Sequence, residues 1–275
     1  MERSDIQGSI VTVIPQHTIL WAVDALVQNL SADEITSLRV RSGEHLAAII
    51  TTAFMFSTPT EIDSSGGADL VFDVAAASDS STAKMLTAGA KLAAFEAKSI
   101  TGDFRRFDAQ LDQMRQRGED TSNTWHEVTV KSANTILNEA RPQILRARDQ
   151  LLKKVAPTDS RNVFLLVHPL DQLAIECVDD NPVIGHLLDP IDYLDDVDTL
   201  WVLWVPDHLT VWSTKRQAWI NLIFAGTLEN ERPIETGVFS LLQTAESEFL
   251  TKTGNVNGSP YMFAFSSGED GEYDA

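Results

Sequence analysis

One cysteine, Cys177, stands in 275 residues. No disulfide can form within the chain and no thiolate cluster can hold zinc; the setting this implies is reducing and cytoplasmic. Long apolar runs are also missing. No stretch approaches the ~18 uninterrupted apolar residues that a membrane-spanning helix needs. The opening MERSDIQGSIVTVIP lacks the basic-then-apolar order of a secretion signal, so no membrane association is expected. Positive charge is scarce, with 21 Lys and Arg against 40 Asp and Glu and a net charge of −19. A balance of that sign opposes binding to a polyanion through the whole surface. His126, His168, His186 and His208 show no metal-ligand spacing and read as structural. There is no phosphate-cradling glycine loop, no serine nucleophile elbow and no internal repeat.

What is present is enough apolar material, 43% of residues, for a sizeable core in one large domain or a domain with an appendage. Charge is unevenly spread. Residues 96–155 hold 11 of the 21 basic residues against 9 acidic ones, whereas residues 156–275 hold 5 basic and 20 acidic. The C-terminal part therefore suits a basic protein partner, and the middle segment is the one place where an anionic ligand meets a favourable field.

Residues 8–31 read as a short strand and a helix. Residues 33–56 read as one helix, with Leu46, Ile49, Ile50, Ala53 and Phe54 at the spacing of a buried face. Ser31 and Glu34 form a capping box at its start. A short strand at 60–63 is followed by a turn at Ser64-Ser65-Gly66-Gly67. Ala68 to Ala75 alternates as a strand, with Leu70, Phe72 and Val74 on one face and Asp69, Val71 and Asp73 on the other. Residues 77–89 are a small, polar connection. Lys91 to Ile100 is a second strand, then come a helix over 104–117, a turn over 118–123 and a long helical stretch over 125–154 with Pro142 marking a kink or a restart. Val163 to Val167 is a continuous apolar run, typical of a strand buried on both faces. Residues 181–198 are acidic and loop-like with one short helix. Leu200–Val205 and Leu209–Trp212 make a hairpin around Pro206-Asp207, Ala218–Phe224 another strand, and 237–252 a helix. Residues 266–275 are polar and acidic, as expected of a disordered tail. The mixed order points to an α/β or α+β fold.

The chemistry concentrates in two stretches, Gly67-Ala-Asp-Leu-Val-Phe-Asp-Val74 and Ala94-Phe-Glu-Ala-Lys-Ser99. Residues two apart on a strand share a face, about 7 Å apart. Glu96 and Lys98 therefore point the same way while Phe95 and Ala97 point into the core. If the Asp69 strand lies alongside, two carboxylates and one ammonium converge. Paired carboxylates hold Mg²⁺ through oxygen and leave positions for water and phosphate. A nearby lysine orients the water or offsets developing negative charge. Asp73, on the same face as Asp69, is a rival ligand. A Glu-x-Lys pair taken alone is more often a solvated face with a weak ion pair.

The order of an acidic helix, an Asp, then Glu-x-Lys on the next strand resembles the PD-(D/E)XK phosphodiesterase superfamily over residues 33–170. That family has a core of helix, three strands, helix, strand. The resemblance implies a restriction-endonuclease-like α/β core, a mixed central sheet flanked by helices, with an acidic C-terminal α+β extension. The segments are then 1–32 (N-terminal), 33–170 (nuclease core), 171–265 (extension of the sheet or partner-binding region) and 266–275 (tail). It implies a metal-dependent endonuclease with Asp69, Glu96 and Lys98 catalytic. Mg²⁺ or Mn²⁺ sits on Asp69 and Glu96, supported by Glu44 from the outer shell. Arg105, Arg106, Gln110 and Gln113 are candidate substrate contacts. DNA is favoured over RNA, and stand-alone members of this size resemble effectors of bacterial restriction or anti-phage defence. Two features depart from the family pattern: Ala68 replaces the frequent proline, and Glu96 follows Asp69 by 27 positions. The rival reading is a non-catalytic acidic interaction subunit on a nuclease-like fold. Trp201, Trp204, Trp212 and Trp219 are able to stack bases but more often build a sheet core.

Overall fold

The computed structural model describes residues 10–40, 43–62, 67–74, 87, 90–100, 110–111, 113–120, 129–167, 172–178, 184–204, 208–225 and 241–254. Its strands are β1 (Ile10–Pro15), β2 (Glu61–Ile62), β3 (Leu70–Asp73), β4 (Leu92–Ile100), β5 (Thr129–Lys131), β6 (Ser160–Val167), β7 (Gln172–Ala174), β8 (Thr199–Trp204), β9 (His208–Ser213) and β10 (Ala218–Ala225). Its helices are α1 (Gln16–Asn29), α2 (Ala32–Val40), α3 (Glu44–Met55), α4 (Ala133–Lys154), α5 (Ile175–Val178) and α6 (Leu241–Lys252). Eight strands make one mixed sheet in the order β1-β10-β9-β8-β6-β4-β3-β2, and β5 pairs with β7 separately. The fold is α/β, a mixed sheet packed against helices.

Hairpin-type pairing joins β2, β3 and β4 at one edge and β8, β9 and β10 further in. The central pairs β4–β6 and β6–β8 are parallel. A parallel pair needs a crossover, and α4 is the crossover between β4 and β6. β6 lies between β4 and β8, and its residues from Asn162 to Val167 are buried without alternation, as expected of a strand covered on both faces. β1 pairs in parallel with β10, so strands some 210 positions apart share one sheet, with Ile10 opposite Ile220.

Strand alternation divides the core into two layers. Leu70, Phe72, Phe95, Phe164, Leu166 and Trp201 point to one face and pack under α1, α3 and α6. Ala94, Val163, Leu165, Leu200 and Val202 point to the other and pack under Ile136, Leu137, Ala140, Ile144, Ala147 and Leu151 of α4. α3 is buried along its whole length, an interior helix rather than an amphipathic surface one.

Several expectations need correcting. The helix read over 33–56 is two helices, α2 and α3, separated at Gly43, which has φ +87°. Only glycine adopts that conformation without strain, and apolar spacing alone does not reveal a break between two helices. An added Cβ at Gly43 would stand 2.5 Å from Leu166 Cδ2. We expect Gly43→Ala to destabilise the fold by about 1–3 kcal/mol, seen as a lower urea midpoint. The helix read over 125–154 starts at Ala133: Ser132 accepts a hydrogen bond from Thr135 N at 3.2 Å, and β5 precedes it. The strand drawn from Ala68 to Ala75 is shorter, Leu70–Asp73. The Ser31–Glu34 capping box forms as read, with Ser31 N donating to Glu34 Oε2 at 2.8 Å and Glu34 N donating to Ser31 Oγ at 3.3 Å. That bonding holds the Glu34 carboxyl below its usual range. Most of the Ser64–Gly67 turn, the connection over 77–89, the start of the helix read over 104–117, the Pro206-Asp207 turn and the 266–275 tail lie outside the described residues. Among the described residues no helix is long and apolar enough to cross a membrane.

Candidate active site

The β3–β4 register brings the sequence-selected residues together. Leu70 pairs with Phe95 and Val71 with Ala94. Extending that antiparallel ladder by one residue sets Asp69 opposite Glu96. Asp73 pairs with Leu92 at the other end of the strand, roughly 13 Å away along it. The neighbour of Glu96 is therefore Asp69 and not Asp73.

Asp69 sits just before β3 and is 3% exposed. Its Oδ2 accepts the Ala97 main-chain N–H at 2.7 Å, so its carboxylate is pinned to the segment that carries Glu96 and Lys98. A charge-assisted bond of this kind is stronger than a neutral one. Glu96 is 1% exposed. The solvated-strand-face alternative is therefore wrong for Glu96: α4 covers that face of β4, and the carboxylate is enclosed. Lys98 Nζ lies 2.9 Å from Glu96 Oε1. Both side chains belong to the face shared with Ala94, whereas Phe95 belongs to the opposite layer, as the alternation required.

Sequence reasoning missed Lys154. It arrives from the last turn of α4, and its Nζ lies 3.5 Å from Glu96 Oε2. Lys153-Lys154 at a helix C-terminus is ordinary macrodipole complementation, so nothing in the sequence singled it out. It also missed His45 and Glu246, 201 positions apart, whose Nε2 and Oε1 meet at 2.6 Å in a buried pair between α3 and α6.

The remaining candidates fall in different places. Glu44 is buried at the first position of α3, where a carboxylate is favoured by the helix dipole, so the solvent-facing reading is also wrong for it. α3 packs on the sheet face opposite α4. Gln110 and Gln113 are exposed on a short helical run. Arg105 and Arg106 lie outside the described residues, as do His126 and His168. The tryptophans are core and not a stacking platform. Trp201, Trp204 and Trp212 are fully buried and Trp219 nearly so, with Trp212 and Trp219 edge to face at 5.6 Å. Burial pushes the Cys177 thiol up to about 12, which removes it as a nucleophile.

Asp69 and Glu96 offer hard oxygen donors suited to Mg²⁺ or Mn²⁺, next to the ammonium of Lys98. That donor set fits a divalent cation. Among the described residues no three or more His, Cys, Asp or Glu side chains form a group able to hold a metal. Comparison with protein-family models, curated proteins and solved structures returned no match.

Proposed function

We propose that the chain is a metal-dependent nuclease of the PD-(D/E)XK type that hydrolyses phosphodiester bonds, with DNA favoured over RNA. The observation that carries this reading is the enclosure of Asp69 and Glu96 on neighbouring antiparallel segments beside the Lys98 ammonium. Asp69 and Glu96 offer enclosed oxygen donors of the kind that suit a hard divalent cation. The order α3, β2, β3, β4, β5, α4, β6, with the small strand β5 set in a separate sheet, is compatible with a core of helix, three strands, helix, strand and supports the reading. The strands beyond β6 then form the extension of the sheet.

Asp69 and Glu96 would hold the cation in this reading; Glu44, on the α3 side of the sheet, takes no part in it. When bound, Mg²⁺ or Mn²⁺ neutralises phosphate charge and lowers the pKa of a water it holds. Asp69, fixed by the Ala97 N–H, keeps the carboxylate pair in register. Lys98 orients the attacking water and offsets the negative charge that develops on the phosphate. Arg105, Arg106, Gln110 and Gln113 are the candidate contacts to the nucleic acid. The effector subunit of a restriction or anti-phage system is the corresponding biological role.

The test is plasmid cleavage by purified protein with Mg²⁺ or Mn²⁺. Wild type should nick or linearise the plasmid, and Lys98→Ala should lower the rate by about 10²–10³. The net charge of −19 favours one other reading, a non-catalytic subunit that docks a basic protein through its acidic C-terminal region. Asp159, Asp195, Asp196 and Asp198, together with Arg161 and Lys215, line an open cavity of about 410 Å³ in that region. Wild type inert with either metal, alone and with co-purifying proteins, would decide for it.

A further inference from the structure

Glu96 is held from two sides. Lys98 Nζ stands 2.9 Å from Oε1 and Lys154 Nζ 3.5 Å from Oε2. The Glu96 side chain is 1% exposed, whereas those of Lys98 and Lys154 are 25% and 22% exposed. Burying a carboxylate costs far less free energy when a cation is paired with it. Lys98 is committed to that pairing by geometry, because it lies two residues along the same strand face. Lys154 is not. It comes from another element, at the last residue of α4, on a flexible four-carbon stem. Its contact is at the limit of hydrogen-bond distance, and it already has a path to solvent. A divalent cation held by Glu96 would compete with this ammonium for the same carboxylate, because like charges brought close together repel.

Resting on the metal-centre reading above, we infer that Lys154 is the resident counter-cation of the metal-free site. It neutralises Glu96 until a divalent cation takes Oε2, then turns out to solvent. Lys154 thereby sets the cation concentration at which the site fills, and its contribution to stability belongs to the metal-free protein alone. By linkage, removing the competitor strengthens cation binding by the same factor that the cation weakens the lysine contact.

The experiment uses the full chain, with Mn²⁺ alone as the probe. Mn²⁺ affinity is measured calorimetrically for wild type, Lys154→Met and Glu96→Gln, and melting temperatures are taken with and without saturating Mn²⁺. We expect Glu96→Gln to lose binding and Lys154→Met to bind about tenfold more tightly. We also expect Lys154→Met to melt below wild type without Mn²⁺ and level with it when Mn²⁺ saturates. A purely structural Lys154 would lower melting equally in both conditions and leave affinity unchanged. That result overturns the inference and leaves the metal centre standing. Wild type that does not bind Mn²⁺, or binds it equally well as Glu96→Gln, overturns both. If Lys154→Met does not fold, the Lys154 ζ-ammonium resonance of ¹⁵N-lysine-labelled wild type is followed through a Mg²⁺ titration. Departure from its ion-paired shift as the site fills is expected, and a resonance that stays put refutes the inference.

Discussion

Glu96→Gln should fold and cleave plasmid about a thousand-fold more slowly than wild type. The substitution keeps the shape of the side chain and removes only its charge. On the proposed reading Glu96 is a metal ligand; such a ligand supports several kcal/mol of charge stabilisation in the transition state, and each ~1.4 kcal/mol is a factor of ten in rate. Stability should fall less sharply, because the two lysines that lose their partner, Lys98 and Lys154, are each partly exposed and can recover hydration. Single-turnover nicking rates alongside melting curves separate the two effects. A Glu96→Gln protein that melts near wild type and cuts at a comparable rate would remove Glu96 from the catalytic centre.

Trp201→Ala should produce the largest loss of stability, about 3–5 kcal/mol, or roughly 10 °C in melting temperature. Trp201 is fully buried on β8. Phe54 meets it edge to face at 4.7 Å and Phe95 at 5.7 Å, while Phe164 stacks at 6.4 Å. One ring therefore joins α3, β4, β6 and β8. Its Nε1 donates to Thr199 Oγ1 at 2.7 Å, and that hydroxyl donates to Asn162 Oδ1 at 2.6 Å. Truncation leaves a cavity and disturbs a buried polar chain, which adds to the cost. Trp201→Phe, which keeps most of the volume and loses only the donor, should cost less than half as much. Equal losses for the two variants would mean that the hydrogen bond and not the packing dominates.

The sequence by itself determined the elements and their faces. Alternation over Leu70, Phe72 and Val74 and the unbroken run Val163–Val167 were enough to identify a half-polar strand and a doubly covered one, because side-chain direction on a strand is set locally with a period of two. The same rule aligned Glu96 with Lys98. The Ser31–Glu34 box was legible because all of its bonds span three residues or fewer. Tertiary structure alone decided the rest. That Asp69 rather than Asp73 neighbours Glu96 depends on register between two strands separated by a long connection, since alternation alone puts both aspartates on one face. The enclosure of Glu96 depends on α4 crossing over it, and the arrival of Lys154 at its second oxygen on where that helix ends, 58 positions along the chain. The burial of Glu44 and the His45–Glu246 pair likewise follow from the packing of helices against the far face of the sheet. Local sequence specifies which way a side chain leaves the backbone; which surface it then meets is a property of the assembled layers.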